Sequence, residues 1–246
     1  MGRQHQCDHG DIYRWAIRDE SGNGRYEELV CRVVSPWSSA MEERPLLGDF
    51  QPWRVHARGI WLLFWWRDTV GYKRVNDNWV ASNGSSSNFS FSEENTPTYG
   101  KNNSTLKSQG WIDSNYVLVP AHDAARVHRG GNWRIPTRSE LNSLISKCTW
   151  TLTTMNSVKG YIIKGKDNYA ASSIFIPFTG YGYGTSRSEA TSLGDYWLSI
   201  AGSDWDYGTA WSLFIDSSNH NLSSDRRYIN GRQSGLVIRP VRNADW

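Results

Sequence analysis

Cysteine is scarce in this chain and odd in number: Cys7, Cys31 and Cys148 lie far apart and form no Cys-x-x-Cys pair. A disulfide framework is thereby excluded. Long apolar runs are missing too. The longest, Ile60-Trp-Leu-Leu-Phe-Trp-Trp66, has seven residues, whereas a membrane-spanning helix needs about 20. No membrane span is expected, and the run reads as a buried strand. Charge of one sign is missing as well. Lys and Arg number 27 and Asp and Glu 24, and from residue 195 onward five Arg face six Asp. A balanced chain without a basic segment speaks against nucleic acid as a partner. The first ten residues carry no apolar h-region, so no signal peptide is visible. Neither a Gly-x-Ser-x-Gly elbow nor a Walker-type phosphate loop occurs.

What the chain has instead is aromatic and small polar side chains: 14 Trp, 12 Tyr and 7 Phe among 246 residues, with 30 Ser and 17 Asn. Large rings need a core or a ligand to lie against. Ser and Asn compete for backbone hydrogen bonds, which disfavours a helical protein and favours strands and loops. A sheet-rich, loop-rich fold is expected. The length suits one large domain with a modest extension. Residues 1–45, with one plausible strand at 29–34, form an N-terminal extension or attachment segment, and 46–246 form the domain. Within it, 81–88 is an exposed loop by its turn chemistry and 92–109 is a second polar stretch.

The clearest local signal is Pro136-Thr-Arg-Ser-Glu-Leu-Asn-Ser-Leu-Ile-Ser-Lys-Cys148. Thr137 and Glu140 make a capping box, and Leu141, Leu144, Ile145 and Cys148 share one helix face. A shorter helix is expected over 121–128, ended by Gly130. Beyond Trp150 the period becomes two, and strands are expected at 161–164, 174–178, 196–200, 209–216 and 236–242. In Trp211-Ser-Leu-Phe-Ile-Asp216 the alternation sets Trp211, Leu213 and Ile215 on a core face. It sets Ser212, Phe214 and Asp216 on a face open to solvent or ligand. Asp216-Ser-Ser-Asn219 then turns the chain into the polar stretch 220–227.

Six separated blocks carry a resemblance: Asp123-Ala-Ala125; Gly130-Gly-Asn-Trp-Arg-Ile-Pro-Thr137; Glu140, Leu144 and Cys148-Thr-Trp150; Ile174-Phe-Ile-Pro-Phe178 with Gly180; Tyr196-Trp197; and Val237-Ile-Arg-Pro-Val-Arg242. In this order they resemble the Fibrobacter succinogenes major paralogous domain family over about residues 113–242. The resemblance implies the α+β class and a C-type lectin-like fold, a small mixed sheet with two helices and long loops. One branch of that family is similar to the variable proteins of diversity-generating retroelements, in which template adenines are mutated and Asn codons are the usual targets. Lys, Glu, Gln, Met and Trp cannot arise that way. From 198 to 232 this chain has none of Lys, Glu, Gln or Met, although the other 211 positions hold 24 of them.

The resemblance therefore implies a candidate variable region at 198–232, with Trp197, Trp205 and Trp211 as scaffold. The candidate ligand-binding positions are Ser203, Asp204, Asp206, Tyr207, Ser212, Phe214, Asp216, Asn219, Asn221, Ser223, Ser224, Asp225, Tyr228, Ile229 and Asn230. Tyr gives contact area at low entropy cost, and Ser, Asn and Asp give adaptable polar contacts, as in a paratope. The expected function is a non-enzymatic ligand- or receptor-binding display protein. It would face outward on a phage tail or bacterial surface, within a larger assembly, and bind a macromolecule, either a protein or a surface glycan. The alternative is an invariant cell-surface structural or adhesin protein of the same family, self-associating through 46–80.

Other patterns carry less. His5-Gln-Cys7-Asp-His9 holds metal-ligand types but reads as an incidental feature of a polar tail, and no metal or cofactor is expected. Asp204-Trp-Asp206 could serve acid/base work or bind a cation, but reads as the polar tip of a surface loop. The calcium-dependent sugar motif of true C-type lectins is absent. No cysteine follows Cys148, which separates the chain from the formylglycine-generating enzymes that share the implied fold. Cys148 is expected to be a packed small hydrophobe. Arg239 is expected to pair with a buried carboxylate and fix the last strand, with Pro240 marking a sheet edge; Arg134 is expected to be scaffold likewise.

Overall fold

A computed structural model describes residues 16–18, 24–28, 62–84, 89–167, 170, 173–202, 208–223 and 231–243. For the first two stretches and for 242–243 it gives backbone only. The elements in chain order are β1 (Ala16–Arg18), β2 (Gly24–Glu28), β3 (Tyr72–Val75), β4 (Asn78–Ala81), α1 (Asn103–Ser108), a 3-10 turn at Pro120–His122, α2 (Ala124–Arg129), β5 (Trp133–Arg134) and α3 (Arg138–Lys147). They continue with β6 (Thr149–Met155), β7 (Val158–Lys164), β8 (Ser173–Pro177), β9 (Tyr181–Tyr183), β10 (Ser186–Ser188), β11 (Leu193–Ala201), β12 (Ala210–Asp216), β13 (His220–Ser223) and β14 (Val241–Asn243). Strand ladders are antiparallel throughout. The class is α+β, rich in strands as composition suggested.

β11 is the organising strand. It pairs with β12 on one side, and on the other Tyr196 bridges Val237 in parallel. The same crossing continues through Phe64 to Leu236 and Leu63 to Tyr72. Side chains alternate across this path. Leu63, Trp65, Tyr196, Leu198 and Val237 enter one core; Leu62, Phe64, Trp66, Trp197, Leu236 and Ile238 enter a second. The described part of the aromatic run, 62–66, is buried as predicted, but in place of the expected strand it makes isolated bridges at Leu63 and Phe64. It is joined to β11 by reciprocal indole bonds: Trp66 Nε1 donates to the Leu198 carbonyl (2.9 Å) and Trp197 Nε1 to the Phe64 carbonyl (2.8 Å). Close approach needs glycine at one crossing. A Cβ on Gly182 or Gly235 would lie within 2.5 Å of the Phe91 ring, which covers both.

The helices follow local chemistry. Both halves of the α3 capping box form, and Glu140, Leu141 and Leu144 are buried. The expected 121–128 helix is instead a 3-10 turn followed by α2, because the Asp123 carboxylate accepts from the Arg126 N–H and restarts the helix. Gly130 ends it with φ +66°. A third helix, α1, stands in the polar stretch 92–109. Asn102 caps it, accepting from the Thr105 N–H at 2.8 Å. The expected strand over 236–242 is divided: Leu236 and Val237 make isolated bridges to neighbouring segments and β14 begins at Val241. Pro240 interrupts because it has no N–H to give a ladder. β14 is not an edge, since it lies between β2 and β5, so the expected edge placement is corrected. The expected strand at 29–34 and most of the loop 81–88 lie outside the described residues.

Candidate functional site

The described part of the candidate region is a three-stranded sheet ordered β11–β12–β13. Its registers place Asp195 beside Phe214 and Phe214 beside Asn221; Trp197, Ser212 and Ser223 form the next row. On the opposite face Leu213 and Ile215 join the first core, with Trp211 and Leu222 packed against it. α3 lies along this face, and the Arg138 guanidinium sits 3.7 Å over the Trp211 ring. Trp211 and Trp197 thus have the packed positions expected of scaffold.

Six of the fifteen candidate residues are described. Asn219 and Asn221 are exposed, and Phe214, Asp216 and Ser223 are half-buried. Ser212 is a correction to the outward-facing expectation: it is 0% exposed. The alternation along β12 is as predicted, but β12 is covered on both faces where it lies against β11, so the polar face is wet only toward β13. Asp216 shapes the turn. One of its carboxylate oxygens accepts from the Ser218 and Asn219 N–H groups at 2.7 Å each, an Asx turn. Ser203, Asp204, Asp206, Tyr207, Ser224, Asp225, Tyr228, Ile229 and Asn230, with scaffold candidate Trp205, lie outside the described residues. His5, Cys7 and His9 do too.

Beneath Phe214, the Asp195 carboxyl is fully buried, and neither oxygen has a hydrogen bond of normal geometry among the described residues. Burial pushes its pKa well above the usual carboxylate range, although the Ser212 hydroxyl and Tyr196 N–H lie near enough to oppose the shift. At the other end of the sheet, His220 stacks on Trp150 with centroids 4.5 Å apart and 7° between planes, while Tyr161 lies 5.4 Å from it. Burial lowers the His220 pKa. It raises that of Tyr161, with the Asp216 charge adding to the rise. The stack pins β13 to the neighbouring sheet β6–β7–β8. Sequence reasoning placed His220 in the region but had no signal for Trp150 as its partner, since 70 residues separate them.

The residues carrying the six-block resemblance are joints between elements. Asp123 caps α2 and its second oxygen accepts from the Ile135 N–H at 2.8 Å. Glu140 accepts from the Thr137 N–H (2.7 Å) and from Arg134 through both guanidinium Nη atoms. Arg134 therefore has the scaffold role expected of it. Arg239 lines an apolar gap of about 10 Å³ beside Leu141, Leu144 and Leu213, at the lower limit for a single water, so that gap does not house a ligand. Burial pushes the Cys148 thiol up to about 11, which keeps it protonated, as suits a packed hydrophobe. Among the described residues no three His, Cys, Asp or Glu gather as metal ligands, and no helix is long and apolar enough to cross a membrane. Comparison with protein-family models, curated proteins and solved structures finds no match for the chain.

Proposed function

We propose that this chain is a non-enzymatic binding protein with a C-type lectin-like fold. It resembles the retroelement-diversified branch of the Fibrobacter succinogenes major paralogous domain family, and it presents 198–232 outward to a macromolecular ligand on a phage tail or bacterial surface. The observation that carries the reading is a coincidence of two patterns. Within the stretch free of Lys, Glu, Gln and Met, β11 and β12 are packed while Asn219 and Asn221, at the turn and on the outer strand β13, meet solvent, and the stretch closes on the buried Arg232. A display surface requires that gradient, with rigid positions behind and replaceable ones in front.

Deep sequencing of the 3′ end of the gene across a source population tests the reading. Substitutions confined to codons 198–232, at positions that are adenine in a nearby template copy, are expected, and the varying codons then name the contact residues. With a ligand in hand, replacing Tyr207, Phe214 and Tyr228 by Ala abolishes binding while the melting temperature is kept. A uniform 3′ end would overturn diversification and leave the invariant surface protein.

A further inference from the structure

β6 is the outer strand of the sheet β6–β7–β8, and its sequence Thr-Trp-Thr-Leu-Thr-Thr-Met contains no charge, proline or glycine. It pairs with β7 over seven consecutive residues without a bulge. Protected edges normally carry a lysine, a proline or a bulge, and this one has none of them. The two-residue turn Asn156-Ser157, both with positive φ, closes the hairpin at Met155 and Val158. The closing pair of such a turn is hydrogen-bonded. Counting back by twos, Thr149, Thr151, Thr153 and Met155 turn their backbone groups toward β7. The N–H and C=O groups of Trp150, Leu152 and Thr154 therefore point outward, and none of them makes a backbone hydrogen bond among the described residues.

We propose that this edge pairs with the same edge of a second copy of the chain, antiparallel and two-fold about Leu152. In that register Leu152 faces its own counterpart, and Trp150 faces Thr154 of the other copy on each side. All three outward residues are satisfied, giving about six new backbone bonds. Leu152, 38% exposed at the centre of the strand, is covered by its twin. Thr151 meets Thr153 in a close cross-strand pair, an arrangement that stabilises sheets. The charge pattern favours a second copy over another partner. The strand offers no charge to complement; Lys159 and Lys164 lie beside Thr154 and Thr149 on β7, away from the new partner, and Lys147 falls opposite Ser157, so self-pairing sets no like charges directly opposite one another. Six strands then form one sheet across the two copies, an arrangement independent of the ligand-binding reading.

The experiment is sedimentation of the full chain from micromolar to millimolar concentration, for wild type and two variants. Wild type is expected to show a monomer–dimer equilibrium. T151K/T153K sets lysines opposite lysines twice across the axis and is expected to sediment as a monomer with an unchanged circular dichroism spectrum. T151K/T153E sets lysine opposite glutamate twice, and is expected to restore a dimer that weakens with added salt. A wild type that stays monomeric at millimolar concentration overturns the proposal. So does a T151K/T153K variant that still dimerises, or a T151K/T153E variant that does not.

Discussion

β11 and β13 flank the same strand, β12, yet they live in different surroundings. From Gly194 to Ile200 β11 divides its side chains between two cores, and Trp197 and Leu198 are 0% exposed. β13 has one packed face, held by Leu222 and the His220–Trp150 stack, and leaves Asn221 in solvent. What a strand tolerates is thus decided by how many of its faces are covered, and a single sheet can hold a buried anchor and a solvent-facing position two strands apart. The contrast also has an electrostatic side. The ionisable group of β11, Asp195, is buried in a setting that disfavours its charge, as is that of β13, His220, but one is an acid and the other a base.

The largest expected effect tests the anchor. Trp197→Ala removes a side chain from the second core and leaves the Phe64 carbonyl without its indole donor. A loss of about 3–5 kcal/mol is expected in urea unfolding. A loss below about 1 kcal/mol would break the contrast, because β11 would then be no better packed than an edge strand. Next, Asp195→Asn is expected to raise the melting temperature near about pH 8 and to do little near about pH 4. The folded-state pKa lies above the unfolded 3.8, so stability is fully present below that value and is lost as pH rises through the folded pKa. A lower melting temperature for the variant at the higher pH would show that a cation pairs with this carboxylate.

The smallest effect concerns β13. The pKa of His220 is lowered from 6.5 by burial, so its contribution runs the other way: present above about 6.5 and lost as pH falls through the folded value. His220→Phe keeps a ring on Trp150 and is expected to flatten the acid limb of a stability–pH curve. His122 shares the limb. Its pKa is lowered by burial and by Arg67, whose Nη2 donates to His122 Nδ1 at 3.1 Å. The slope that remains in the variant belongs to His122 together with the carboxyls of Asp68, Asp123 and Asp195, whose pKa values burial raises, and an unchanged slope would mean that the β13 stack is not sensitive to charge.

Legibility followed how local the cause was. α3 was readable to its cap because Thr137, Glu140 and the apolar face lie within twelve residues of one another. The aromatic run was readable as buried at 62–66 because a core is the setting that suits so many large apolar side chains in succession. β3–β4 and β6–β7 were not read as hairpins, because their turns are Asn76-Asp77 and Asn156-Ser157. These residues accept positive φ, but they lack the glycine that marks a tight turn. α1 escaped notice because its inner side carries one apolar residue, Leu106. At the candidate site, alternation along β12 was visible while its covering was not. A period of two assigns residues to faces, and only tertiary packing decides which face stays wet; Ser212 is buried for that reason. Among the carriers of the six-block resemblance, Asp123, Arg134 and Glu140 proved to be joints that tie neighbouring elements together.

The crossing of the aromatic run with the late segments has a consequence for how the protein is made. Trp65 donates its indole N–H to the carbonyl of Gln233, 168 residues later, and Trp66 reaches Leu198 across 132. Contacts of such separation form late, since a long loop must close before they return any energy. During synthesis the five apolar residues from 62 to 66 leave the ribosome well before the strands that cover them. They must be shielded in the interval by a chaperone or by passing contacts. The segments around 196–198 and 233–238 therefore close both cores late, on either side of the stretch proposed for display, and their arrival decides when the aromatic run becomes safe from aggregation.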